Sequence, residues 1–318
     1  MLWFLTPFAV AIPTYVYLRL VLRVDRFERE PLRYLLGAFL WGALPAIIFA
    51  LGAEAIFGAI AQAVLGKTAA SGFVESAVVA PVTEEVLKAF AVYAVYLWRK
   101  GQFDGWVDGL VYGATTGFGF AYVENILYIG STPTVAEWLG LFAARVVVLG
   151  FMHGFWTSLT GIGFGIARFR TRAFEKVLFP MAGLLGAILM HMIHNGALTL
   201  SESVNNGFIF FGVGAYTFMG VLMISLGRIS QHEEQRTMRR FLLDEVGVTL
   251  TPVTYAFLCG DRQFQGAATP PANRQVTQWA AELAQKKRQV LFRPDQVTLN
   301  QIGALRDRLA GLAAGQVG

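Results

Sequence analysis

The stretch SGFVESAVVAPVTEEVLKAFAVYAVYLW, residues 71–98, places two adjacent glutamates and a lysine inside a long apolar run. About 20 apolar residues are enough for a helix to cross the hydrocarbon of a bilayer. Ionisable groups at that depth are costly, and they usually face a cavity or one another. The stretch therefore predicts a transmembrane helix in which Glu84, Glu85 and Lys88 serve a function.

The rest of the chain has the composition of a multi-span membrane protein. Of its residues, 55% are apolar and 15% are charged, and the mean hydropathy is +0.51, whereas soluble domains carry roughly 25% charged residues. Most of the apolar stretches are apolar around the whole helix, unlike the amphipathic helices of a soluble protein. We predict an all-α polytopic helical bundle with about seven transmembrane helices, over residues 2–22, 34–57, 72–98, 106–130, 137–167, 177–200 and 207–227.

The distribution of positive charge predicts the orientation of this bundle. Arginine and lysine are concentrated in the loops after the first, third and fifth predicted spans, and the alternate loops contain only Lys67. By the positive-inside rule the N-terminus lies outside and the C-terminus is cytoplasmic, in the inner membrane of a cell. Lipid headgroups account for the rest of the net charge of +5, so no nucleic-acid partner is expected. The first span lacks a basic n-region and a small-residue cleavage site, so we expect it to be retained.

A change in composition near Arg228 predicts two domains, a membrane domain over 1–227 and a mostly helical cytoplasmic tail over 228–318. In the tail, residues 228–247 are predicted to continue the last span, and the Gly- and Pro-containing segment 260–274 is predicted to be a loop. Apolar residues at three- and four-residue spacing predict two amphipathic helices over 276–291 and 297–315. The single cysteine, Cys259, excludes an intramolecular disulfide and argues against a thiolate metal site.

Polar residues within four of the predicted spans lie at a similar depth. Glu84, His153 and His191 are 14 or 15 residues from the inner ends of their spans, which is about 21–23 Å at the rise of an α-helix. Glu124 lies 18 residues from its inner end, or about 27 Å by the same rise. We therefore expect the four spans to contribute to one shared site.

Spacing along each helix predicts which of these side chains face the same way. Glu84 and Lys88 stand at i and i+4 and are expected to pair. Glu85 is turned by about 100° from Glu84, so we expect it to have a different role. His191 and Asn195 share a face of the sixth span. Four glycines in the fourth span would let it approach its neighbours closely: Gly109, Gly113, Gly117 and Gly119.

These residue types suit the hydrolysis of a peptide bond by an activated water. A carboxylate in a desolvated pocket can act as a general base on water, and a histidine and an asparagine can donate hydrogen bonds to an oxyanion. No serine has the setting of a nucleophile elbow, and no HExxH motif is present. We expect no cofactor, although a zinc site built from histidine and glutamate stays open.

Four segments in order, APVTEEVLK, DGLVYGATTGFGFAYVENILY, MHGFWT and HMIHN, resemble the motifs of the PrsW family of intramembrane proteases. That family is related to the CAAX prenyl endopeptidases and the bacterial CPBP proteins, which share the pattern EExxxR, FxxxH and HxxxN. The resemblance covers residues 23 to about 227 and leaves out the tail. It implies an intramembrane endopeptidase whose substrates are membrane proteins, such as single-span anti-sigma-factor-like regulators.

Carried over by position, the resemblance implies a role for each motif residue. Glu84 would activate the water, and Glu85 would be a second essential carboxylate. His191 and Asn195 match the HxxxN pair and would stabilise the oxyanion. His194 is interpreted as a helix–helix contact.

One position departs from the prenyl endopeptidases. Glu124 stands where they have the histidine of FxxxH, so the partner of Glu84 is either Glu124 or His153. Lys88 stands near the arginine of the related motif and would tune the carboxylates. Arg145 in the fifth span is interpreted as a counter-charge for the carboxylates.

Two other functions fit parts of the pattern. A non-catalytic membrane scaffold or chaperone is one, since a subunit of the gamma-secretase complex resembles this superfamily and acts in that way. A transporter with a relay of glutamates is another, but it would require discontinuous spans and an inverted repeat, and the sequence predicts neither. The substrate, the cleavage position and the oligomeric state stay open.

Overall fold

A computed structural model describes residues 2–24, 30–99, 103, 105–205, 207, 209–259, 271–292 and 294–313. Within these ranges the chain is helical apart from its connections and one isolated bridge, Val246 to Leu250, which confirms the predicted all-α fold. The α-helices are α1 (Leu2–Val21), α2 (Leu32–Trp41), α3 (Ile47–Leu65), α4 (Ala69–Val74), α5 (Ala80–Trp98), α6 (Trp106–Gly130), α7 (Val135–Leu141), α8 (Met152–Arg168), α9 (Ala173–Ser203), α10 (Ile209–Phe241), α11 (Pro252–Leu258), α12 (Pro271–Phe292) and α13 (Gln296–Ala313). Short π-helical stretches join α2 to α3 (Gly42–Ala46), α4 to α5 (Glu75–Val79) and α7 towards α8 (Phe142–Val148).

Five helical segments among the described residues are long and apolar enough to cross a membrane, and a helical membrane bundle is thereby confirmed. They are Leu2–Val21, Leu32–Leu65, Val135–Arg168, Ala173–Glu202 and Phe210–Phe241. The other two predicted spans correspond to 69–98 and to α6. These two are less apolar because they contain buried charged side chains and, in α6, a run of glycines.

The fifth predicted span, 137–167, lies within the membrane-length segment Val135–Arg168, and the helix is interrupted inside it. The chain leaves helical geometry at residues 149–151, between the π-helical stretch and α8. Gly150 allows the break because a Cβ there would lie 2.1 Å from the carbonyl oxygen of Val146. The expectation that no span is discontinuous is wrong at this point.

Tyrosine hydroxyl groups satisfy the backbone carbonyls that the break releases. Tyr17 of α1 donates to the carbonyl oxygens of Val146 and Val147, at 3.2 and 2.6 Å. Tyr216 of α10 donates to the carbonyl of Val148. Within a membrane, non-helical backbone is tolerated only where such partners are available, so these contacts fix the point at which α8 begins.

Helices α6 and α8 pack with their backbones in contact. A Cβ at Gly109, Gly113 or Gly117 would lie between 2.0 and 2.5 Å from a backbone oxygen of α8. On the opposite side of α6, a Cβ at Gly119 would lie 2.0 Å from the carbonyl oxygen of Phe39 in α2. The predicted close approach of this span to its neighbours is confirmed.

The chain divides into two compact units, one extending to Ile224 and the other beginning at Ser225. Helix α10 runs through the predicted domain boundary and ends at Phe241, earlier than the predicted 247. The two predicted amphipathic helices are confirmed as α12 and α13. Helix α12 begins inside the predicted loop, and residues 260–270 of that loop lie outside the described residues.

The second unit has its own apolar core around one buried carboxylate. Its core contains Met238, Leu242, Leu250, Leu258, Leu283, Ile302, Leu305 and Leu309. Glu245 is 1% exposed and accepts hydrogen bonds from Arg306 (2.6 Å), Lys287 (2.8 Å) and Thr249 (2.9 Å). Burial alone would raise the pKa of Glu245, but these hydrogen bonds outweigh it and lower the pKa to about 2.

Candidate active site

The first two turns of α5 build a cluster of two carboxylates and one ammonium group. Lys88 is fully buried, and its Nζ lies 2.9 Å from Oε2 of Glu84 and 2.8 Å from Oε1 of Glu85. The predicted pairing of Glu84 with Lys88 is confirmed. Because i+3 and i+4 neighbours lie on adjacent parts of a helix surface, one lysine reaches both glutamates.

The two glutamates nevertheless have different surroundings. Glu85 is fully buried, and its carboxylate also accepts from Oγ1 of Thr157 at 3.0 Å and lies 3.3 Å from Nδ1 of His191. Glu84 instead lines a cavity of about 530 Å³ in the first unit, and Glu85 is not among the residues that line it. Glu84 is therefore the member of the pair that can meet a substrate.

His153, at the start of α8, bridges the α5 cluster and Glu124 of α6. Its Nδ1 lies 3.1 Å from Nζ of Lys88 and 3.9 Å from Oε2 of Glu84, and its Nε2 lies 2.9 Å from Oε2 of Glu124. An ammonium group can only donate hydrogen bonds, so Nδ1 accepts. The neutral ring then carries its proton on Nε2, facing Glu124. His153 therefore lies next to both Glu84 and Glu124, so the two candidate partners of Glu84, Glu124 and His153, belong to one cluster.

Arg145 lies beside Glu124, as expected for a counter-charge. Its guanidinium is 3.2 Å from Oε2 of Glu124, and its Nε donates to Oδ1 of Asn125 at 3.2 Å. The guanidinium carbon is also 4.0 Å from the centre of the Tyr128 ring. Arg145 belongs to the π-helical stretch before the break and His153 to α8 after it, so each side of the break delivers one side chain to Glu124.

His191 of α9 faces Glu85 through Nδ1 and lies flat against Trp156, with ring centres 3.9 Å apart. An ionised carboxylate only accepts hydrogen bonds, so Nδ1 of His191 donates. In the neutral ring Nε2 is then an acceptor. The geometry thus favours a role for His191 in holding Glu85, and not the predicted donation to an oxyanion.

Asn195, one turn further along α9, holds the π-helical stretch that precedes α5. The amide of Ala80 donates to the carbonyl of Glu75, five residues earlier. The next residue is Pro81, which has no N–H, so the helix offers no donor for the carbonyl of Ser76. Nδ2 of Asn195 supplies it at 2.9 Å. Asn195 also lines the cavity.

Trp156 is a residue of this site that the sequence analysis did not single out. It is 1% exposed, its ring contacts those of His153 and His191, and it lines the cavity. Its Nε1 has no hydrogen-bond partner among the described residues. The ring of His194 lies 5.5 Å from that of Trp156, which is the predicted contact between helices. The i, i+3 spacing of Trp156 from His153 could have indicated the shared face.

Side chains from α5, α6, α8 and α9 therefore meet at one cavity, in agreement with the depth argument. Together the fold and the site define a polytopic helical membrane protein with a buried carboxylate–histidine cluster on a cavity wall. Carboxylates and histidines in this setting are the groups that hydrolytic enzymes use as bases and positioning residues.

Residues 30–225 match the sequence profile described as PrsW family intramembrane metalloprotease. Protease PrsW of Geobacillus kaustophilus is 30% identical over 198 residues, which is 61% of this chain and 77% of that protein. Protease PrsW of Oceanobacillus iheyensis is 28% identical over 232 residues, or 71% of this chain and 93% of that protein. No solved structure matches. The chain belongs to the PrsW family of intramembrane proteases, multi-pass membrane enzymes that act on membrane substrates.

The family description implies a metal, and the site contains side chains of the types that bind metals. Glu84, Glu85, His153 and His191 each offer one ligand atom, and these atoms lie within 4.8 Å of one another. Carboxylate oxygen and imidazole nitrogen are zinc ligands. However, Nζ of Lys88 contacts three of these four side chains. With the lysine in this position the residues do not fit a metal.

Proposed function

We propose that the chain hydrolyses a peptide bond of a membrane-protein substrate with a water activated by Glu84. The observation that carries the proposal is the position of Glu84. It is the carboxylate of the buried cluster that lines the cavity, and Lys88 holds its Oε2 at 2.9 Å. A base fixed by a neighbour at the edge of a water-accessible space meets the geometric requirement for general-base catalysis.

The reaction follows from this placement. Glu84 accepts a proton from water as the water oxygen attacks the carbonyl carbon of the substrate. The tetrahedral intermediate then loses its amine as the C–N bond breaks, and the proton held by Glu84 passes to the departing nitrogen. Water is consumed, a carboxylic acid and an amine are formed, and no covalent enzyme intermediate is required.

The oxyanion of the intermediate needs hydrogen-bond donors that border the same cavity. Asn195 has a second N–H beside the one that binds Ser76, and Trp156 has a buried N–H without a partner among the described residues. We assign oxyanion stabilisation to these two residues. His191 and Thr157 orient Glu85, whose carboxylate is a second hydrogen-bond partner of Lys88.

The proposal also covers the domains, the membrane topology and the substrates of the chain. Residues 1–227 form the protease domain, with seven spans and the N-terminus outside, in the inner membrane of the cell. Residues 228–318 form a cytoplasmic tail. The substrates are single-span membrane proteins of the anti-sigma-factor type, which enter laterally and unwind near the cavity. The positive-inside distribution of charge and the family resemblance support these points.

Replacing Glu84 by Gln tests the proposal on a candidate single-span substrate reconstituted with the purified enzyme. We expect at least about a hundredfold slower cleavage, since loss of a general base typically costs 10²–10⁴-fold. Glu75→Gln is the matched control, because Glu75 lies in the same apolar run and its side chain contacts Gln62 outside the cluster. Unchanged cleavage by Glu84→Gln would refute the assignment. Substrate binding without any product from the wild-type enzyme would favour the scaffold function instead.

A further inference from the structure

The contacts of Lys88 account for all of its hydrogen-bonding capacity. An ammonium group has three N–H donors and no acceptor. Nζ lies 2.9 Å from Glu84, 2.8 Å from Glu85 and 3.1 Å from Nδ1 of His153, one partner for each donor. The ring centre of Phe120 lies 3.9 Å from Nζ and covers it with a cation–π contact. Each N–H of the ammonium group therefore has a partner, and the Phe120 ring covers the group.

These partners are the atoms that a metal ion would need. Zinc binds carboxylate oxygen and imidazole nitrogen at about 2.0–2.2 Å, so an ion shared by Glu84, Glu85 and His153 would have to occupy the space of the ammonium group. The lone pair of Nδ1 in His153 already accepts from Lys88, and Nε2 carries the proton that faces Glu124. The neutral His153 ring therefore has no free nitrogen to coordinate a metal.

We propose that Lys88 is a built-in cation that occupies the position of a metal ion, so that the wild-type site binds no divalent metal. Lys88 is a positioning residue that holds Glu84 at the cavity wall and ties Glu85 and His153 to it. The inference rests on the proposed function for the location of the site, but the occupancy of that site by a cation can be measured without any substrate.

The proposal predicts that removing the lysine side chain creates a metal site. In Lys88→Ala, Glu84, Glu85, His153 and His191 retain ligand atoms within 4.8 Å of one another, with the space at their centre open. The double variant Lys88→Ala/His191→Ala keeps that space and lacks one ligand. It is therefore the matched control for zinc that binds elsewhere on the chain.

The test is the zinc content of full-length protein, purified in detergent without a polyhistidine tag, equilibrated with zinc and freed of unbound ion. We expect less than about a tenth of an ion per chain in wild type and about one in Lys88→Ala, falling to the wild-type level in the double variant. We also expect cleavage by the wild type to be unchanged by 1,10-phenanthroline.

Two results would overturn the proposal. One is a wild-type chain that holds about one zinc ion and loses it in Glu85→Gln. The other is a Lys88→Ala chain that elutes as folded protein and binds no more zinc than wild type. If Lys88→Ala fails to fold, the wild-type measurement still decides. The zinc results are also independent of Glu84→Gln, whose unchanged cleavage would refute the proposed reaction alone.

Discussion

The hydrogen bond from Asn195 to the carbonyl of Ser76 leads to a prediction about Pro81, a residue whose side chain takes no part in that bond. Pro81 has no N–H, and the amide of Ala80 is already committed to Glu75, so α9 supplies the donor that α5 lacks. Replacing Pro81 by Ala restores a backbone N–H five residues after Ser76, where a π-helical bond would form. Asn195→Ala should therefore lower the free energy of unfolding by a smaller amount when Pro81 is also replaced by Ala.

The size of the effect follows from the burial of the carbonyl. An unsatisfied buried polar group costs about 1–3 kcal/mol. Ser76 is half-buried beside the cavity, so Asn195→Ala should lower the free energy of unfolding by about 1 kcal/mol, the lower end of that range. The double variant Pro81→Ala/Asn195→Ala should recover most of this loss, giving a coupling energy of about 1 kcal/mol.

The assay is reversible unfolding of the full chain in mixed micelles, followed for the wild type, both single variants and the double variant. Thr199→Ala is the matched control, because Thr199 lies one turn beyond Asn195 and contacts Ser76 through the side-chain hydroxyl, at 2.9 Å. Its effect should add to that of Pro81→Ala. Additivity within about 0.5 kcal/mol for Asn195 and Pro81 would refute the reasoning. Measuring kcat for the same four proteins separates the two roles of Asn195, which are to bind the Ser76 carbonyl and to stabilise the oxyanion. Pro81→Ala can restore only the hydrogen bond to the Ser76 carbonyl.

Three further predictions concern other parts of the chain. Trp156→Phe keeps a ring against the histidines but lacks the N–H, so kcat should fall about tenfold or more with KM little changed; equal kcat would exclude the indole as a donor. Gly150→Ala should lower the free energy of unfolding by about 1–3 kcal/mol, because its Cβ would lie 2.1 Å from a backbone oxygen. The control is Gly140→Ala, whose Cβ would have nothing within 4 Å. This variant should leave the free energy of unfolding unchanged in the same assay. Because the pKa of Glu245 is lowered from 4.5 to about 2, its contribution to stability is present above pH 4.5 and is lost as the pH falls towards 2. The reaction rate of the buried Cys259 with an acid-active aromatic disulfide should therefore rise over that range, and Glu245→Gln should remove the dependence.

Helical periodicity and depth predicted that Glu84, Glu124, His153 and His191 lie near one another. The pairing of Glu84 with Lys88 follows from their spacing on one helix, and the meeting of His153 with Glu124 follows from their similar distances to the inner ends of their spans. The close contact of α6 with α8 was predictable because glycine at every fourth position removes the side chains from one helix face.

The rest depended on departures from regular helix geometry, which periodicity cannot detect. The break near Gly150 is allowed by one residue and satisfied by tyrosines far away in the sequence, so no local pattern marks it. The angular difference of about 100° between Glu84 and Glu85 predicted different roles, but it did not show that one long lysine side chain contacts both. Trp156 was overlooked because an aromatic residue in a membrane span usually packs against lipid or other helices.

The backbone contact between α6 and α8 limits how this enzyme can be redesigned. The spacing of Glu124 and His153 is set by main-chain atoms, so no choice of side chain at the three glycines can adjust it by a fraction of an ångström. The other wall of the cavity is different, since Ile47, Leu51 and Glu54 line it with side chains. Libraries that aim to change substrate preference should therefore vary α3 and leave α6 and α8 as they are.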